Sequence, residues 1–210
     1  MNEPPKEVIA GFEIYRNLLS QEKQIEMVDA CREIIRQAPL VRPMTAWGKP
    51  MTVRMTSAGR AGWVIHRGKY QYRAHHPETD LPWPQIPPAI LEPWRRLDLW
   101  PGDPACCLLN WYDAEARMGL HQDKDEGLFE APVLSISLGD PARFRMGGIE
   151  KGSKTQSTIL SSGDVVVMRG DARLAYHGID RILADGLPNP ITARGRINLT
   201  LRVVDPSLIR

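Results

Sequence analysis

Apolar and polar positions alternate with a period of two over much of the C-terminal half of the chain. The clearest run is Arg196-Ile197-Asn198-Leu199-Thr200-Leu201-Arg202-Val203-Val204. It puts Ile197, Leu199, Leu201 and Val203 on one face and Arg196, Asn198, Thr200 and Arg202 on the other. Runs of this kind predict strands near 105–112, 133–138, 142–146, 155–160, 164–168 and 196–204. Turn signals fall between them at Gly139-Asp140-Pro141, Gly147-Gly148 and Ser161-Ser162-Gly163. Many short strands around a ligand pocket predict a double-sheet jelly roll. Residues 180–195 read as a long surface loop, and the chain holds no internal repeat.

The N-terminal half has a different rhythm. Residues 1–6 are expected to be disordered, and Val8 to Leu18 reads as extended. Ser20 is a natural N-cap for a helix opening at Gln21, with Ile25, Val28, Cys31, Ile34 and Ile35 as its buried stripe. That helix should stop before Pro39. Residues 40–85 look irregular, with short strands near 51–55 and 69–72. A second helix is expected from about Pro88 to Leu97, kept short or kinked by Pro93. The fold class is therefore mainly β with flanking helices (α+β).

Composition narrows the class further. A chain of 210 residues, 42% hydrophobic and 25% charged, suits one domain with one sizeable core. No apolar run approaches the roughly 18 residues a membrane helix needs, and the N-terminus lacks a signal-peptide core. The three cysteines suggest no disulfide framework and read as reduced packing residues. A cytoplasmic monomer with no membrane partner is expected. Net charge is only +2, but its distribution is uneven. Between Glu33 and Glu78 there is no acid, while Arg36, Arg42, Lys49, Arg54, Arg60, Arg67, Lys69 and Arg73 all fall there. Trp47, Trp63, Tyr70 and Tyr72 sit among them. Cations track phosphates and aromatic faces stack on bases, so this mixture suits single-stranded or flipped-out nucleic acid; a plain basic surface is the competing reading. Trp83, Trp94 and Trp100 read as core.

Candidate chemistry centres on His121-Gln122-Asp123, answered by His177 in Tyr176-His177-Gly178. In an extended segment His121 and Asp123 share a face. With His177 they would give two histidines and one carboxylate, the arrangement of non-haem Fe(II) oxygenases. A turn in which Asp123 caps backbone and His121 stays partly exposed is the ordinary alternative. The last strand weighs against it. Its two arginines, flanking Asn198 and Thr200, form a ladder of donors suited to a dicarboxylate. Beside such an iron, the dicarboxylate to expect is 2-oxoglutarate. A half-exposed strand would show the same alternation.

Taken together, Asn110-x-Tyr112, His121-x-Asp123-x-Asp125-Glu126, Arg173-x-x-Tyr176-His177-Gly178 and Arg196-x-Asn198-x-Thr200-x-Arg202 closely resemble the AlkB family of Fe(II)/2-oxoglutarate dioxygenases. The likeness spans roughly 50–204 and is strongest from 105 onward. It implies a double-stranded β-helix at 101–210 and an N-terminal extension with a nucleotide-recognition lid at 1–100. It implies oxidative demethylation of N-alkylated bases, of the 1-methyladenine and 3-methylcytosine type, in DNA or RNA. Fe(II) would be held by His121, Asp123 and His177, with O2 as oxidant. 2-Oxoglutarate would be held by Asn110, Tyr112, Arg196, Asn198, Thr200 and Arg202, the arginines not being assigned to particular carboxylates. Trp63, Tyr70, Tyr72, Asp125 and Lys151 match positions that contact the substrate nucleotide. Asp125 could instead be a solvated loop acid, and Lys151 a plain loop lysine. The likeness is closest to the bacterial member of the family, where larger aromatic residues stand at the positions of Met168 and Ala175, which leaves the range of lesions open. The rival readings are an oxygenase acting on RNA or a small metabolite, and a non-catalytic nucleic-acid-binding jelly roll.

Overall fold

The strands expected in the C-terminal half all form, with ends within two residues of those predicted, whereas the one expected near 51–55 forms at 54–59. The computed structural model describes residues 4–45, 48–183 and 194–210. In chain order the elements are β1 (Glu7–Ile9), β2 (Phe12–Tyr15), α1 (Gln21–Gln37), β3 (Arg54–Gly59), β4 (Gly62–His66), β5 (Lys69–Arg73) and α2 (Pro88–Arg96). There follow β6 (Cys106–Tyr112), β7 (Met118–His121), β8 (Val133–Gly139), β9 (Ala142–Met146), β10 (Gln156–Leu160), β11 (Val165–Met168), β12 (His177–Ile182) and β13 (Arg196–Arg202).

Two sheets face one another. The larger has strand order β1-β2-β11-β8-β13-β6-β3, and the smaller β10-β9-β12-β7. This is the double-stranded β-helix, or jelly roll, with helices outside it. Period-two alternation sorts the side chains of the larger sheet. Leu134, Ile136, Val165, Val167, Leu199 and Leu201 pack outward in one cluster with Met27, Val28, Cys31 and Ile34 of α1 and Trp94 of α2. Val166, Met168, Leu108 and Val133 point inward, in a cluster with Phe144 and Met146 of the smaller sheet. The polar face of β13 points inward too, so its residues are buried rather than solvated: Arg196 is 0% exposed and Arg202 6%.

The sheet draws strands from both sides of position 100. β2 pairs with β11 and β3 with β6, so the N-terminal extension is woven into the jelly roll. The part that stands apart is the β4–β5 hairpin, a two-stranded sheet of its own.

Several expectations need correction. Ser20 caps α1 as predicted, its Oγ accepting from the Lys23 N–H at 3.3 Å. Ile25, however, is 45% exposed. The buried positions Met27, Val28, Cys31 and Ile34 centre the stripe on a face that Ile25 turns away from. Lys6 joins the β1–β2 edge, its N–H donating to Ile14 O at 3.0 Å. Residues 180–182, expected in a loop, extend β12; a bulge between Ile179 and Arg181 breaks the alternation that would have revealed the strand. The strand β7 went unpredicted as an element, being only four residues long. The rest of the expected loop, residues 184–193, lies outside the described residues, as do Trp47 and residues 1–3. Among the described residues no helix is long and apolar enough to cross a membrane.

Candidate metal centre and its cavity

β7 and β12 run antiparallel with His121 directly opposite His177. Cross-strand partners on one face stand close enough to touch, and the two imidazole centroids are 4.5 Å apart. Gly178 makes this pairing possible, since a Cβ there would lie 2.6 Å from Met118 O. Asp123 follows just beyond the end of β7 and turns its carboxylate toward both rings. Its oxygens lie 3.7 Å from His121 Nε2 and 3.9 Å from His177 Nε2. One ligand atom from each of the three residues falls within 4.8 Å of the others.

Both rings are oriented by backbone. His121 Nδ1 is 3.0 Å from Gly119 O, and His177 Nδ1 is 3.0 Å from Ala175 O. A carbonyl can only accept, so each Nδ1 carries the proton and each Nε2 keeps its lone pair facing its partners. Burial, followed by the neighbouring His121, pulls the His177 pKa down to about 4, so it is neutral at ordinary pH. Burial opposes charge on Asp123, yet Arg202, His177 and His121 outweigh it and hold the carboxyl well below the usual carboxylate range. Asp123 Oδ2 is buried with no hydrogen-bond partner. A buried anionic oxygen facing two lone-pair nitrogens is an unmet demand for a cation.

These ligands sit in one wall of a cavity of about 430 Å³. Leu108, Met118, Phe144, Leu160, Met168 and Ile179 give it an apolar lining; Asn110, Tyr112, Arg196, Asn198, Thr200 and Arg202 give it a polar floor. The floor is a product of register: Asn198 lies opposite Asn110, and Arg196 opposite Tyr112. Asn110 Nδ2 donates to Asn198 Oδ1 at 3.3 Å, and Thr200 Oγ1 donates to the same oxygen at 3.1 Å. Asn198 Nδ2 donates to Ser135 Oγ at 2.7 Å.

The two arginines differ. Arg202 Nη2 donates to Asp123 Oδ1 at 2.8 Å, so it belongs to the metal end. Arg196 has no carboxylate within salt-bridge distance among the described residues: it donates to Ser137 Oγ at 2.6 Å and, at longer range, to Asp140 O and Leu160 O, while the Asp164 and Asp140 carboxylates act on it only from farther away. Burial pulls its pKa down to about 10. A fully buried guanidinium with an unpartnered Nε, opening on the cavity, fits an anionic group that would complete its pairing. The donor set thus fits both a divalent iron and a dicarboxylate.

Of the residues predicted to meet a nucleotide, three reach the cavity mouth. Trp63 and Tyr70 line it and stack on each other, centroids 5.3 Å apart and planes 18° apart. Asp125 lines it too and accepts from Trp63 Nε1 at 2.9 Å. Tyr72 does not reach it. It is 1% exposed and donates to Glu126 Oε1 at 2.9 Å, buried because it is the deeper of two same-face tyrosines on β5. Lys151 is exposed on the loop joining β9 and β10 and is not among the cavity walls. Ala175 is buried in the core, whereas Met168 does line the cavity. Sequence reasoning assigned no role to Glu126, Arg173 or Gln122. Arg173 Nη1 donates to Asp123 O at 2.6 Å, and Gln122 Nε2 to Leu174 O at 2.7 Å, so both brace the metal-ligand loop. Arg173 stands in a family motif, but neither bracing role is readable locally, because the partners lie about fifty residues away.

An iron-binding facial triad inside a jelly roll, with a buried arginine awaiting a carboxylate, defines the class. Residues 11–202 match the 2OG-Fe(II) oxygenase superfamily, to which the chain belongs. Its cofactors are Fe(II), 2-oxoglutarate and O2. Within that class the chain is a member of the AlkB family. It is 48% identical over 198 residues to the alpha-ketoglutarate-dependent dioxygenase AlkB homolog of Caulobacter vibrioides, covering 94% of this chain and 90% of that protein. It is 35% identical over 204 residues to the alpha-ketoglutarate-dependent dioxygenase AlkB of Escherichia coli, covering 95% and 94%. The solved structure of OsALKBH1 superposes with a TM-score of 0.81 at 27% identity, covering 95% of this chain and all of that one.

Proposed function

We propose that the protein removes N-methyl groups from bases of the 1-methyladenine and 3-methylcytosine type in DNA, presented single-stranded or flipped out. The observation that carries this reading is the juxtaposition, in one cavity, of the His121–Asp123–His177 cluster with the unpaired buried Arg196. When bound, Fe(II) and 2-oxoglutarate supply the chemistry: O2 is consumed, the cosubstrate becomes succinate and carbon dioxide, and the methyl group is hydroxylated and lost as formaldehyde.

The chain's own residues do the rest. His121, Asp123 and His177 hold the metal. Arg196, at the end of the floor away from Asp123, takes the far carboxylate of the cosubstrate. Arg202, tied to Asp123, meets its metal-proximal end. Asn110 and Tyr112 close the pocket; Tyr112 is a neutral phenol, pushed up by burial, that parks its hydroxyl 3.8 Å from Met118 Sδ. Asn198 and Thr200 fix the floor. The apolar lining keeps bulk water from the reacting methyl group.

At the mouth, Trp63 and Tyr70 offer an aromatic face and Asp125 an acceptor for an exocyclic amino group. Methylation at those ring nitrogens leaves the base positively charged, which a nearby carboxylate attracts. The acid-free stretch supplies cations for the phosphates; Lys151 would act there, outside the cavity, if it touches the strand. The jelly roll is the catalytic body of a single domain, and the β4–β5 hairpin its nucleotide-reading lid. The free, buried thiols Cys31, Cys106 and Cys107 accord with a cytoplasmic monomer.

The test is anaerobic loading with Fe(II) and 2-oxoglutarate, then oxygen and an oligonucleotide carrying either lesion, read by mass spectrometry. Loss of one methyl mass with matching succinate, on DNA in preference to the same RNA, is expected. Succinate without demethylation would overturn the substrate; neither product would overturn the oxygenase.

A further inference from the structure

Asp123 and Arg202 belong to a closed set of buried charges, whose member Glu126 has no part in the roles above. Glu126 is 0% exposed, Arg173 3%, Asp123 5% and Arg202 6%. Two guanidinium groups face two carboxylates, so the set is balanced, as burial demands. Glu126 Oε2 accepts from Arg173 Nη2 at 3.2 Å, and Glu126 Oε1 accepts from Tyr72 OH at 2.9 Å. Arg202 Nη1 donates to that same hydroxyl at 3.2 Å while its Nη2 holds Asp123. The phenol is therefore both donor and acceptor, and burial keeps it protonated.

Tyr72 is also part of the nucleotide-reading hairpin. It stands opposite Trp63 across the β4–β5 ladder and two residues from Tyr70. The hairpin is thus fastened twice to the metal-ligand loop: through the Trp63 indole to Asp125, and through the Tyr72 phenol to Glu126. Only the second fastening continues to Arg202.

We propose that Tyr72 and Glu126 are positioning residues that tie the orientation of the Arg202 fork to the β4–β5 hairpin, so that cosubstrate affinity depends on the hairpin. The proposal rests on the reading that Arg202 meets 2-oxoglutarate beside Asp123. Without the phenol hydroxyl, Arg202 Nη1 and Glu126 Oε1 lose their common partner, and the fork keeps Asp123 at 2.8 Å and only a long contact of 3.5 Å from its Nε to Glu126 Oε1. Removing the hydroxyl leaves the ligands and the base-stacking Trp63 untouched.

The experiment compares wild type with Tyr72→Phe, which keeps the buried ring. Anaerobic optical titration of the Fe(II)-loaded proteins with 2-oxoglutarate reads cosubstrate affinity without turnover. About tenfold weaker binding is expected in the variant, the size of one lost charge-assisted hydrogen bond. KM for 2-oxoglutarate should rise by the same factor, a larger change than any in kcat. Equal affinity in the two proteins, or a fall in kcat alone, would overturn the proposal. If wild type itself gives no Fe(II)-dependent signal, the oxygenase reading fails instead. Should Tyr72→Phe not fold, wild type alone decides the matter: adding 2-oxoglutarate to the anaerobic Fe(II) protein should slow amide exchange in residues 62–73. Unchanged exchange there would overturn the coupling.

Discussion

The floor and the mouth of the cavity are built on different principles. On the floor and at the metal ligands, every functional side chain except Asp123 sits on a ladder position of paired strands. His121 faces His177, Asn110 faces Asn198, and Arg196 faces Tyr112. At the mouth, Trp63 is partly buried and Tyr70 is 50% exposed, and they lean on each other and on one loop carboxylate. The floor is preorganised for a fixed small dicarboxylate and an ion. The mouth is left adaptable, as a surface that must admit a base attached to a strand has to be. If this contrast is right, floor substitutions should strike metal and cosubstrate parameters and spare nucleic-acid affinity, and mouth substitutions should do the reverse.

The largest effect should come from His121→Ala. Loss even of a group that orients a metal ligand costs about 10–100-fold, so loss of the ligand itself should cost more than about 100-fold in turnover. Binding of the methylated oligonucleotide, read by fluorescence anisotropy, should stay within a factor of two or so of wild type. A parallel collapse of oligonucleotide binding would break the separation of floor from mouth.

Next in size is Arg196→Met. On the proposal that Arg196 takes the far carboxylate, the loss of two charge-assisted hydrogen bonds of about 1.5 kcal/mol each should raise KM for 2-oxoglutarate about 100-fold. Melting temperature should fall little, because among the described residues the buried charge removed has no carboxylate within salt-bridge distance, Asp164 and Asp140 acting on it only from farther away. Arg202→Met should behave differently. It would leave Asp123 and Glu126 short of a counter-ion, and should lower the melting temperature as well as cosubstrate affinity. If both variants lose stability equally, the distinction between an awaiting and an already paired arginine fails.

The same contrast governs how much could be read from the sequence. His121, Asp123, His177 and the β13 ladder were legible because strand geometry converts a spacing of two into a shared face. Their partners also repeat that spacing. The two faces of β13 were legible too, but not which of them met solvent: alternation marks a boundary without saying what lies beyond it. The hairpin was harder. Tyr72 and Tyr70 share a face and a residue type, and only the depth of the fold separates a buried relay from an exposed stacking surface. Glu126 and Arg173 stood in the family motifs without a role, since a buried charge looks like any other charge until its partner is found. β12 was hidden by Gly178, which makes room for His177 to face His121, and by the bulge at Ile179–Arg181 in its pairing with β9.

At the mouth, Trp63→Ala should weaken methylated oligonucleotide binding about tenfold, within the 1–3 kcal/mol typical of a lost base stack. KM for 2-oxoglutarate should stay put. Because Tyr70 already lies against one face of the indole, Tyr70→Ala should cost less than Trp63→Ala. A larger loss in Tyr70→Ala would make the tyrosine the principal platform.

The smallest effect, and the most discriminating, belongs to Asp125→Asn. The amide keeps an oxygen for Trp63 Nε1 and for an exocyclic amino group, so geometry is preserved and only the charge is lost. A full charge near a cationic base is worth about 1 kcal/mol at 4 Å in a water-like surrounding, and Asp125 is partly exposed. The specificity constant for 1-methyladenine or 3-methylcytosine should therefore fall about fivefold. A neutral lesion such as 3-methylthymine should be handled as before, narrowing the preference between them by that factor. Raised salt should shrink the wild-type preference and leave the variant's unchanged, because a partly exposed charge is screened. An equal fall on both lesions would mean that Asp125 acts by holding Trp63, and that the mouth recognises the base by shape and stacking rather than by its charge.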